Sequence, residues 1–70
     1  MKTCIDIPRT NLTIELDDDD ELYGAWAKVY SNQKGVLGRG ARTEGEALKR
    51  VAIELKRISD CVHKMAKRRA

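Results

Sequence analysis

Residues 43–69, TEGEALKRVAIELKRISDCVHKMAKRR, decide how the rest of the chain must be arranged. Apolar side chains fall at Leu48, Val51, Leu55, Ile58, Val62 and Met65, in alternating steps of three and four. That spacing is the seam of an amphipathic helix. Thr43 opens the helix as a cap for the free amides of the first turn, and Glu46, three residues on, can reach back to it. Acids (Glu44, Glu46) stand at the positive end of the helix dipole and bases (Lys64, Lys67, Arg68, Arg69) at the negative end. Beside the seam, Gly45, Ala52, Ser59 and Ala66 are small, which predicts close backbone approach to a neighbouring layer.

Working back from the helix, Val36 to Arg42 reads as a strand weakened by Gly38 and Gly40, glycines expected where the helix backbone comes close. Asn32-Gln33-Lys34-Gly35 reads as a hairpin loop with Gly35 at positive φ. Residues 22–31 form a strand with two unlike faces. One carries Tyr23, Ala25, Ala27 and Val29, the other Trp26, Lys28 and Tyr30. Either Trp26 is the main core residue or it is displayed on a bare sheet face. Residues 11–16 alternate cleanly, with Leu12, Ile14 and Leu16 on one side. Asp17 to Glu21 follows as a charged, solvated turn without the spacing of a calcium loop. Residues 2–7 have mild strand character and end at Pro8. The expected fold is a single α+β domain over residues 1–70. It holds a three-stranded antiparallel sheet (22–31, 36–42 and 11–16), an optional fourth strand at 2–7, and one long helix at 43–69.

A chain of 70 residues with net charge +3 can bury only about 60% of its unfolded surface, so association with a partner is an ordinary remedy. The charge is unevenly placed. Residues 1–24 carry Lys2 and Arg9 against seven acids, a balance of −5, whereas residues 25–70 carry twelve bases against Glu44, Glu46, Glu54 and Asp60, a balance of +8. This asymmetry admits nucleic acid, an acidic protein surface, or self-association of opposite ends. No apolar run is long enough for a membrane span or signal peptide, so the expected location is cytoplasmic, with Cys4 and Cys61 reduced.

No nucleophile with a nearby base is evident. The one histidine, His63, lies two positions from Cys61 and about 200° around the helix from it. No further ligands stand nearby to complete a zinc site, and Gly38-Arg39-Gly40 lacks the length and the Lys-Ser/Thr ending of a phosphate loop. The chain is expected not to be an enzyme and to need no metal or cofactor.

Two surfaces are left as partner-binding candidates. After each of Leu48, Leu55 and Val62 come two basic or imidazole residues: Lys49-Arg50, Lys56-Arg57 and His63-Lys64, with Lys67 extending the stripe and Ile53 set within it. Such a rail suits an acidic protein or nucleic-acid phosphates. The second candidate is the sheet face with Trp26, Lys28 and Tyr30, which could anchor a protein or stack on bases.

The stretch from Tyr23 to Ile53 resembles the HicB-like antitoxin domain, a truncated ribonuclease-H-like sheet with one helix. The likeness rests on the aromatic strand Tyr23-Gly24-Ala25-Trp26-Ala27 and on the helix opening Thr43, Glu46, Ala47 and Leu48. The family's Pro-Gly turn is Lys34-Gly35 here. The resemblance implies a protein that occupies and silences a small nuclease. Gly38, Gly40, Thr43, Ala47, Val51 and Ala52 also look like the last strand and helix of the double-stranded-RNA-binding domain, although Glu44, Gly45 and Leu48 stand where its phosphate-gripping lysines belong. The arm-binding domain of phage-type integrases is similar in outline. The expected function is a small binding module that inhibits or regulates a macromolecular partner, the alternative being a nucleic-acid-binding regulator.

Self-association follows from lengths. A 27-residue helix of about 40 Å outruns a seven-residue strand of about 23 Å. Ile58, Val62 and Met65 then overhang the sheet and predict a homodimer through that half of the helix, unless the helix breaks near Ser59-Asp60 and folds back.

Overall fold

The alternation at Leu12, Ile14 and Leu16 puts three aliphatic side chains on one side of a strand, and the helix lies on that side. In the computed structural model, which describes residues 2–69, the elements run β1 (Lys2–Asp6), β2 (Leu12–Asp20), β3 (Gly24–Ser31), β4 (Lys34–Ala41) and α1 (Glu44–Arg69). The strands form one antiparallel sheet in sequence order, so the N-terminal strand is a full member. Pairing Leu16 with Ala27, Ile14 with Val29, and Ala25 with Ala41 stacks the apolar side chains on the helix side. Ala27, Val29, Leu16 and Ala41 close against Ala47 and Val51 of the helix, with Leu12, Ile14, Leu37, Leu48 and Leu55 around them. No helix among the described residues is long and apolar enough to cross a membrane.

The close approach of helix to sheet comes from alanines of β3 and β4 meeting Ala47, and not from the row Gly45, Ala52, Ser59 and Ala66, which is exposed throughout. Nor does the helix back explain the glycines of β4. Gly38 and Gly40 face the other side of the sheet, where the indole of Trp26 lies across them.

Other boundaries also differ from expectation. β2 continues through the acidic run to Asp20, because Asp17 still pairs with Trp26 and, past a bulge, Asp20 pairs with Gly24. The carboxylates supply acceptors for this stretch: Asp17 Oδ1 accepts from the Asp19 amide (2.9 Å), and Asp20 Oδ1 accepts from the amides of Leu22 (2.9 Å) and Tyr23 (2.8 Å). Gly24, at φ +97°, reverses the chain into β3 and throws Tyr23 to the open side of the sheet, away from Ala25, Ala27 and Val29.

The β3–β4 hairpin is tighter than four residues. Lys34 already pairs with Ser31, and the positive φ values fall on Asn32 (50°) and Gln33 (68°), the two centres of a primed turn, whereas Gly35 pairs with Tyr30 inside the ladder. The helix is continuous past Ser59-Asp60, so there is no second cap and no fold-back. Thr43 Oγ1 accepts from the Glu46 amide at 3.2 Å, as the cap requires. From Lys56 to Arg69 every residue is exposed, including Ile58, Val62 and Met65.

Candidate interaction surfaces

With α1 on one side, no described element covers the opposite side of the sheet. Register places Lys2, Asp17, Trp26 and Gly40 in one row across it. Cys4, Glu15, Lys28 and Gly38 make the next row, and Asp6, Thr13, Tyr30 and Gly35 the third. Trp26, Lys28 and Tyr30 thus stand together at alternate positions of one central strand, as the sequence pattern proposed. Trp26 is displayed and is not the core tryptophan.

The local chemistry holds that indole in place. A Cβ on Gly38 would stand 2.9 Å from Trp26 Nε1, and one on Gly40 would stand 2.5 Å from Tyr23 Cγ and Cδ2 and 2.7 Å from Trp26 Cε3. Bare backbone at these two positions therefore leaves the room that the Trp26 and Tyr23 rings occupy. Tyr23 packs at the side of the indole, ring centroids 5.3 Å apart and planes tilted by 41°, and Lys28 Nζ sits 5.9 Å from the indole centroid. Within this packing Trp26 Nε1 is shut off from water and donates to no acceptor, alone in this among buried side-chain polar atoms of the described residues. Beside the ring runs an open trough of about 410 Å³, lined by Trp26, Lys28, Tyr30, Val36, Leu37 and backbone at Gly35 and Gly38. A second hollow of about 300 Å³ lies beyond Tyr30, between Cys4, Thr13, Glu15 and Gln33.

The charge of this face is mixed. Lys2 pairs with Glu15 at 3.6 Å, Thr13 Oγ1 donates to Asp6 Oδ1 at 3.0 Å, and Asp17 shares a row with Trp26. Acids therefore flank the aromatic strand on its β1–β2 side.

The basic stripe of the helix is split by the fold. Arg50, exposed overall, reaches across to donate to the Gly40 carbonyl (3.0 Å), while Arg57 and Arg39 both approach Glu54 (3.6 and 3.5 Å). Arg50 and Arg39 thereby tie the helix flank to β4, whereas the Arg57–Glu54 pair lies within the helix. Lys49, Lys56, His63, Lys64 and Lys67 are exposed, and Ile53 is 54% exposed beside Arg50 and Arg57. The stripe and the aromatic face lie on opposite sides of the molecule, so they do not form one site.

Three other groups bear on chemistry. Asp17, Asp18 and Asp19 bring carboxylate oxygens within 4.8 Å of one another, a cluster that goes with the bulged end of β2 on which they lie. Cys4 and Cys61 are free and exposed, on the open face of β1 and on the overhanging helix. Tyr23, Gly38 and Gly40 belong to the aromatic surface although sequence reasoning left them out. The signal was present: two glycines two apart in a strand share a face, and opposite them stands the chain's one tryptophan. No protein-family model, curated protein or solved structure matches the chain.

Proposed function

We propose that the chain is a non-catalytic binding module that occupies and regulates a protein partner through the open face of its sheet, and that it works as a homodimer in the cytoplasm. The observation that carries this is the Trp26 indole packed against Gly38 and Gly40, beside Lys28 and Tyr30, on a face that no described element covers. A large aromatic fixed in place forfeits little side-chain entropy on binding, which is why such residues dominate protein interfaces. The acids Asp6, Glu15 and Asp17 on the same face favour a protein over a phosphate backbone. The resemblance to HicB-like antitoxins points the same way, toward a small nuclease as the partner class.

A second reading has its own support. Lys49, Lys56, His63, Lys64 and Lys67 make an exposed basic row along one helix, which suits nucleic-acid phosphates. Affinity capture with the wild-type chain and with a Lys28→Glu/Tyr30→Ala variant separates the two. A protein retained by the first and lost by the second, and shown in purified form to shift Trp26 emission on titration, supports the sheet-face reading. If the variant retains the same proteins, or if only duplex DNA or RNA binds with a steep loss on raising salt, the sheet-face reading fails.

A further inference from the structure

The helix covers half of its sheet. It lies over β4 and β3, touches β2 and does not reach β1. Leu55 is its last residue packed on the core, so 44–55 rest on the sheet and 56–69 project beyond it. A four-stranded sheet is roughly 14 Å between outer strands and one helix is about 10 Å across, so the helix side has room for a second helix above β1 and β2. That vacant strip is apolar: Ile5 is 47% exposed there, and Leu12 and Ile14 are only half-buried.

The projecting half has the complementary properties. Ile58, Val62 and Met65 continue the row of Val51 and Leu55, so they point toward the plane of the sheet yet are 48%, 53% and 58% exposed. Residues 56–69 carry six bases against Asp60, and residues 2–21 carry Lys2 and Arg9 against seven acids, balances of +5 and −5. One straight helix cannot bring its own tail back over its own β1, but a second copy can.

We infer that two chains pair about a two-fold axis perpendicular to their sheets, each laying residues 56–69 over the other's vacant β1–β2 strip. The tail, at about 21 Å, is long enough to cross most of a strand of eight residues, about 26 Å. Its basic end, Lys67–Arg69, then arrives at the acidic end of the other copy's β2, Asp17–Glu21. The two helices run antiparallel, and their contacting flanks follow from observed contacts. Arg50 and Glu54 face β4, so the opposite flank, Gly45, Ala52, Ser59 and Ala66, faces the vacant strip. In the antiparallel pair Ala52 meets Ser59 of the second copy and Gly45 meets its Ala66, small against small, which gives the exposed row a close-packed neighbour. The pairing is isologous and closes on itself.

This rests on the self-association proposed above and adds its architecture, and the two are tested separately. Sedimentation equilibrium at micromolar concentration should give twice the 7.9 kDa chain mass. Val62→Glu and Ile5→Glu should each weaken the dimer at least tenfold while circular dichroism shows the fold retained. In a Cys4→Ser/Cys61→Ser background, Ala52→Cys with Ser59→Cys should oxidise to a covalent dimer, since these positions are two turns apart in one helix and cannot bridge within a chain. A 7.9 kDa species overturns self-association itself. A dimer that Ile5→Glu leaves intact and that the 52–59 pair does not trap overturns the reciprocal arrangement.

Discussion

The indole of Trp26 lies against the bare backbone of Gly38, so closely that a Cβ there would meet Nε1 at 2.9 Å and Cζ2 at 3.1 Å. The glycine is a condition for the aromatic surface, because any side chain at 38 competes with the ring for the same space. Gly38→Ala should lift or rotate the indole, costing about 1–3 kcal/mol as overpacking does. Thermal denaturation together with a red shift of the single tryptophan's emission would show it. Unchanged emission would mean that the ring is not seated there.

Trp26→Ala removes a ring that rests on the sheet's open side and not within the core. The loss should be about 1–2 kcal/mol, below the roughly 3–5 kcal/mol of a fully buried tryptophan. Chemical denaturation measures this. A core-sized loss would contradict the placement, and the protein binding proposed for the sheet face should be lost in either case.

Gln33 holds φ at 68°, a conformation that glycine adopts freely and glutamine does not. Gln33→Gly converts the turn to Asn-Gly, the preferred pair for a two-residue hairpin. A gain of about 0.5–1 kcal/mol in urea denaturation is expected. A loss would indicate that the turn is not of the primed kind.

Reversing Lys49, Lys56 and Lys64 to Glu tests the helix row. All three are exposed, so the melting temperature should change little, surface substitutions being worth about 0.5 kcal/mol or less. If the row grips phosphates, binding to duplex nucleic acid at low salt should disappear with the triple change. Binding that persists would leave the row as a solvated face.

Much of this architecture was legible in the chain. The 3–4 spacing from Leu48 to Met65, the Thr43 cap and the alternation at Leu12, Ile14 and Leu16 are local signals, set by the 3.6-residue and two-residue periods of helix and strand. They determined the element order and the start of the helix, whereas its continuity past Ser59-Asp60, and with it the overhang, was left open and appears only in the structure. What local pattern left open is which of two plausible faces of β3 meets the helix. Only the tertiary structure decided that, and the reason is thickness. Ala25, Ala27 and Ala41 let the helix settle on the sheet at Ala47, whereas Trp26 and Tyr30 on that side would hold it off. Once the alanine face is inward, Trp26 must be outward. Gly38 and Gly40 then serve a side chain on the neighbouring strand, a relation between positions 12 and 14 residues apart that no periodicity within either strand records.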